Sequence, residues 1–420
     1  MEIKIGVKKE IKINEKRKSV LENIKRVFIL NEISKFLKKS IFLEIIKINK
    51  NIQKRYGINK NYYKEFSEQY TPIELEIIPL NMERYYFINI KDGDESYYHI
   101  YFNDNKKEVK RNYFINEKVN KIKIVIDPQI KSFDNLFENL EIIKSINFTK
   151  FHRNNISSMS GMFNGCSSLE EINFFNFNTD NVTNMERMFS ECSSLKELDL
   201  SSFNTNKVTN MAQMFSKCKS LEKINIFSFD TSQVNNMNHM FSECRSLKEL
   251  NLSNFNTSKL IDMSVMFSSC RALKKLNLSS FNTKNVTNMS WLIAGCDLLE
   301  ELNISNFNTE DVTNLSGMFC HCSSLQEINL SKFNTKNVIN MDNMFCGCSS
   351  IKELDLSNFN TINVKDFRWM FRDCCSLKKL DISNFIITEK IVFMDGMFYN
   401  CSEKIQKMAE KIIKNKNYYY

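Results

Sequence analysis

A register of 26 residues runs through about two-thirds of this 420-residue chain. Asn-Val-Thr-Asn-Met occurs at 181–185 and again at 285–289, with close variants elsewhere. Position 1 of the unit falls at Ile156, Val182, Val208, Val234, Leu260, Val286, Val312, Val338 and Val364, always 26 apart. A further unit starts at Ile391 after a one-residue insertion, and a degenerate one counts back to Ile130. A unit this short cannot bury an apolar face alone, so the chain must stack its units into a solenoid.

The columns of the unit assign its parts. Positions 4 and 7 are almost all Met, position 8 is Phe with Ile293 as an exception, and position 11 is Cys in ten units. Spacing of i, i+3, i+4, i+7 predicts one face of a short helix. Positions 17 and 19 are apolar between polar neighbours, as in Glu249-Leu250-Asn251-Leu252-Ser253, which predicts a half-buried strand. Position 22 is Phe from Phe177 to Phe385, and position 24 is Thr from Thr179 to Thr361. The expected fold is an α/β repeat, a right-handed solenoid with a parallel sheet.

The consensus, seen in Cys192-Ser193-Ser194-Leu195-Lys196-Glu197-Leu198-Asp199-Leu200, contains the leucine-rich-repeat core L-x-x-L-x-L. Over residues 130–402 the repeat resembles that of BspA-like leucine-rich-repeat surface proteins. The resemblance implies a leucine-rich-repeat solenoid, protein binding, often adhesion at a cell or microbial surface, and no catalytic residues. The chain departs from a surface protein in its N-terminus, MEIKIGVKKEIKINEKRKSV, which has no apolar core of a secretory signal. No stretch approaches the ~20 apolar residues of a membrane span. On these grounds the expected location is cytoplasmic, with the cell surface as the family-based alternative.

Four segments are expected: a basic helical module over 1–70, a small β module over 71–128 capping the repeat sheet, the solenoid over 129–402, and a C-terminal capping helix and tail over 403–420. The net charge of +9 lies wholly in the first third, since residues 1–129 hold 27 Lys and Arg against 18 Asp and Glu. Any contact with an anionic surface is therefore to be sought in residues 1–60, where a solvated Lys-rich face is the plainer reading, and no nucleic-acid contact is expected. Residues 31–58 resemble an F-box-like helical module, which gives the alternative function of an intracellular adaptor whose repeat domain selects the client protein. Within the β module, Tyr85–Ile90 and Tyr97–Phe102 flank Asp92-Gly93, which predicts a hairpin.

Candidate sites follow from exceptions to the columns. Column 18 is Asn or Asp from Asn173 to Asp381, and Asn225 and Asn251 represent it as candidate contacts on the outer sheet face. Column 20 is mostly Ser, broken by Phe175 and Phe227, and column 6 holds Trp291 and Trp369. Aromatic rings on a polar face suggest protein contact, because interface anchors are often aromatic. The ten thiols of column 11 are expected to be reduced, buried and inert. Cys320-His321-Cys322 and Cys346-Gly347-Cys348 lie one unit apart, so stacking brings four thiols and an imidazole close together. C-x-C is not the usual zinc spacing, and no metal or cofactor is assigned. With four His and no nucleophile, phosphate-loop or metalloprotease motif, no enzyme is expected.

Overall fold

The computed structural model describes residues 54, 71–81, 84–115, 118–386 and 393–414. Lys54 aside, the expected N-terminal helical module and its F-box-like alternative lie outside the described residues. The chain divides into two compact units, residues 1–72 with 152–154, and residues 73–151 with 155–420. The β module and the repeats thus share the second unit, which is described below.

Its strands are β1 (Ile73–Pro79), β2 (Arg84–Tyr86), β3 (Tyr98–Phe102), β4 (Tyr113–Ile115), β5 (Ile122–Ile126), β6 (Ile143–Lys150), β7 (Glu171–Asn173), β8 (Glu197–Asp199), β9 (Lys223–Asn225), β10 (Lys275–Asn277), β11 (Glu301–Asn303), β12 (Glu353–Asp355) and β13 (Lys379–Asp381). From β7 onward each strand is positions 16–18 of a coil. Neighbouring coils pair in parallel and in register, as in Leu198 with Ile224 and Leu276 with Leu302. A second ladder runs at position 3, where ten consecutive parallel bridges join Ser132 to Phe393. The result is a β-solenoid whose columns 1, 4, 7, 8, 11, 14, 19 and 22 are buried. Phe rings of column 8 stack along it, from Phe137 on Phe163 at 5.6 Å to Phe241 on Phe267 at 5.8 Å, and again from Phe319 to Phe398.

The expected short helix is not formed in any described coil. Positions 4–11 make a corner instead, with positions 6 and 10 in the left-handed region, as at Arg187 (φ 55°) and Glu191 (φ 62°). The stack explains this. Amides at positions 4, 6, 8 and 10 donate to carbonyls 3, 5, 7 and 9 of the next coil: Met185 to Asn210, Arg187 to Ala212, Phe189 to Met214, Glu191 to Ser216. A helix would turn those amides back along its own axis and leave the next coil's carbonyls unpaired. Four backbone hydrogen bonds per corner offset a left-handed cost of roughly 1–2 kcal/mol per residue. The apolar spacing survives because the corner faces the core with the same positions a helix would.

Polar columns close the remaining backbone groups. Asn or Asp at positions 3, 18 and 23 accepts the amide two residues on, as Asn210 does from Ala212, Asp199 from Ser201 and Asn256 from Ser258. The hydroxyl of Thr257 in column 24 donates to the Asn282 carbonyl and accepts the Asn282 amide. Each column-11 thiol donates to the position-8 carbonyl of the preceding coil, as Cys218 does to Phe189 at 3.0 Å.

The β module joins this array through its sheet. Strand order is β3-β5-β1-β6-β7, and β1 runs antiparallel to β6, which starts the parallel series with β7. The edge that the coils would leave open therefore carries a strand. The expected hairpin is not formed. Asp92-Gly93 is a turn, with Gly93 at φ 91°, but β2 pairs with β4 and β3 with β5. Residues 87–90 are buried or half-buried loop apart from Asn89, with Phe87 and Ile88 in the core, so the first arm of the expected hairpin stops at Tyr86. At the other end α1 (Glu403–Lys414) buries Ile405 against the last coil, and Gln406 donates to the Cys401 carbonyl.

Candidate functional site

The outer strand face is built from columns 16, 18 and 20. Column 16 carries charges that pair between neighbours, Lys223 with Glu197 at 2.8 Å and Lys379 with Glu353 at 2.7 Å. Such exposed pairs contribute little to stability. In column 18, Asn225 accepts the Phe227 amide and Asn251 accepts the Ser253 amide, so both candidate Asn residues hold the turn that follows their strand. Their side chains are exposed but their Oδ1 atoms are occupied. Phe175 and Phe227 stand out of the polar column 20 with 60% and 61% of their surface exposed. One coil, that of Ser201, lies between them, so they sit two strand spacings, about 10 Å, apart.

Trp291 and Trp369 lie on another ridge, at the left-handed position 6, each about 40% exposed. The indole of Trp291 rests on Gly317, the same column of the next coil. A Cβ built there would come within 2.5 Å of Trp291 Cδ2. Trp369 rests likewise on Gly396, and the Arg372 guanidinium lies 5.9 Å from its ring. The paired glycines were legible signals of this packing. The structure does not bring the two Trp residues to the Phe pair: they occupy the corner, the Phe residues the strand.

The thiols fall into two sets. Column 11 is buried throughout, and burial pushes Cys166, Cys218, Cys296 and Cys348 up to about 12. Column 9, next to it on the corner, is Ser in four successive coils (190, 216, 242, 268), then Ala294, Cys320 and Cys346. The last three are buried together. The thiol of Cys320 hydrogen-bonds to Cys346, which holds Cys346 below the ordinary thiol value and pushes Cys320 up. His321 is exposed at position 10 over Gly347, and its ring nitrogen and the two sulfurs lie within 4.8 Å of one another. Cys322 and Cys348 are not part of this group. Their thiols point inward to the Ile293 and Phe319 carbonyls.

A family described as "Mycoplasma protein of unknown function, DUF285" matches the chain three times, over residues 131–247, 222–301 and 290–411. The chain belongs to this family. The matches span the DUF285 coils described above and two-thirds of the sequence. Among curated proteins none matches this DUF285 chain. Two solved structures are similar to it. One is a leucine-rich cell surface protein from Faecalibacterium prausnitzii, 17% identical, covering 61% of this chain and 76% of that one, with a TM-score of 0.31. The other is a leucine-rich repeat protein from Eubacterium ventriosum, 16% identical, covering 62% of this chain and 83% of that one, with a TM-score of 0.30. Both are described as leucine-rich. Among the described residues no helix is long and apolar enough to cross a membrane.

Proposed function

We propose that the DUF285 array is a non-catalytic scaffold that binds protein through its outer strand face, with Phe175 and Phe227 as anchors. One observation carries this reading. The polar groups that recur from coil to coil, Asx at 3, 18 and 23, Thr at 24 and Cys at 11, are spent on backbone hydrogen bonds. Recognition then falls to residues that break the columns, and the two exposed Phe rings are the largest such break on the strand face. Burying them would supply roughly 1.5–3 kcal/mol each, enough to anchor a contact. The neutral charge of the array supports recognition by shape and hydrogen bonding over bulk electrostatics.

The test is affinity capture with the full chain and with a Phe175→Ser/Phe227→Ser variant, which restores the Ser common in column 20. Unfolding midpoints are compared alongside. A partner whose affinity falls roughly a hundredfold in the variant, at unchanged midpoint, supports the reading. The same partners at the same strength remove the Phe pair from it. The resemblance to BspA-like proteins supports the cell surface as the place of binding. Labelling of intact cells with a membrane-impermeant reagent separates that from a cytoplasmic scaffold.

A further inference from the structure

We propose that Cys320, His321 and Cys346 form a metal site for a thiophilic d10 cation, Zn2+, held by two thiolates and one imidazole across two adjacent coils. The three donor atoms lie within 4.8 Å of one another. Tetrahedral zinc, with Zn–S near 2.3 Å and Zn–N near 2.0 Å, asks for donors about 3.5–3.8 Å apart, so the group closes by about 1 Å of side-chain rotation. Two thiolates balance the charge of the ion, and the imidazole suits the same borderline-soft metal. His321 is exposed, which leaves the fourth position to water.

Three features of the corner build this arrangement. Column 9 turns from Ser to Cys in two consecutive coils only, and parallel stacking sets those two thiols side by side. His321 and Cys346 are joined by the backbone, its amide donating to the Cys346 carbonyl at 2.6 Å. The absence of a side chain at Gly347 leaves the place that the imidazole fills, since a Cβ there would overlap Nδ1. The ten column-11 thiols are not competitors, because each is turned inward to a carbonyl. The ligands come from positions 26 residues apart, so the site has no C-x2-4-C spacing and staples one coil to the next.

The experiment uses the full chain, reduced and metal-free. Zn2+ is titrated and bound metal counted, and Co2+ is used as a spectroscopic substitute. The expected result is one ion per chain, with thiolate-to-cobalt charge transfer and the visible bands of tetrahedral Co2+. Cys320→Ser and Cys346→Ser place in column 9 the residue that four other coils already carry there, so these variants fold. Each lowers affinity by roughly a hundredfold or more, beyond the loss seen on removing a supporting outer residue. Cys375→Ser removes an exposed thiol outside the group and leaves binding unchanged. Zinc bound equally by the Ser variants overturns the proposal. So does a Cys320–Cys346 disulfide that, once reduced, yields a chain without zinc affinity.

Discussion

The β module of residues 73–126 and the coils that follow solve one problem in opposite ways. In β1, β3 and β5 every second residue is buried and regular antiparallel register pairs the backbone. Side-chain polarity is then free to go outside, where Glu74 meets Lys123 at 2.8 Å and Lys150 at 3.6 Å. The coils turn sharply between their short strands and leave amides and carbonyls that no strand reaches. There polar groups go inside, most of them small and neutral thiols and hydroxyls, with Arg153 and Asp366 as charged exceptions. All thirteen Cys follow residue 165, and the β module has none. The two regions should therefore respond oppositely to proton activity.

The largest effect expected is alkaline unfolding of the coils. A thiol has a pKa near 8.5 in an unfolded chain. Burial pushes the column-11 thiols up, to about 12 at Cys218 and Cys296 and to about 11 at Cys401. A folded-state pKa above the unfolded one means that stability is fully present below about pH 8.5 and is lost as pH rises toward the folded value. Each thiol contributes a slope of about 1.4 kcal/mol per pH unit in that window. Ten of them sum to about 14 kcal/mol over one pH unit, comparable to the stability of an ordinary domain. Both Trp residues lie in the coils, so Trp fluorescence against pH reads the array. Cys218→Ala should lower the slope by one thiol's share. A slope unchanged by Cys218→Ala and Cys296→Ala together would break the comparison.

A second, smaller effect separates an inside hydroxyl from an outside one. Thr257 is buried, and Thr257→Val strips the Asn282 amide and carbonyl of their partner while keeping the side-chain shape. Two part-buried backbone groups left without their partner cost about 1–2 kcal/mol. Thr149, in β6, donates to the Glu74 carbonyl at an exposed position, where water replaces it. Thr149→Val should cost about 0.5 kcal/mol or less. Urea unfolding of the two variants measures the ratio, and equal losses would mean that the Thr column does not hold the coils.

Much of this contrast could be read in the sequence. A fixed 26-residue register left only a stack, and the apolar columns named its core. The corner was hidden because i, i+3, i+4, i+7 serves a helix and a left-handed corner equally. What separates them is glycine: six of nine Gly fall in columns 6 and 10, where a helix gains nothing from them. Asp92-Gly93 gave the turn but not the pairing, since β2 finds its partner 27 residues on, in β4. Phe175 and Phe227 were visible because a Ser column made them exceptions. The grouping of Cys320, His321 and Cys346 was harder to weigh. Zinc spacings are learned along the chain, and here the donors meet across it.

The smallest effect tests the β module from the acid side. Lys123 first, then Lys150, hold the Glu74 carboxyl below the usual Glu value. A depressed folded-state pKa means that its stabilisation is present at neutral pH, above the unfolded pKa near 4.3, and is lost as pH falls through the folded value. The pair is partly exposed and screened, so Glu74→Gln should cost no more than about 1 kcal/mol at pH 7. The cost should shrink in high salt and vanish once pH falls below the folded-state value, where the wild-type carboxyl is protonated as well. Hydrogen exchange of the β1 amides reads this locally, while in the coils the buried thiols stay neutral at that pH and only turn-holding carboxylates such as Asp199 titrate, so protection there should fall less. An equal loss of protection in the coils would mean that the sheet shared by β1, β6 and β7 transmits the change, and that the two regions unfold as one.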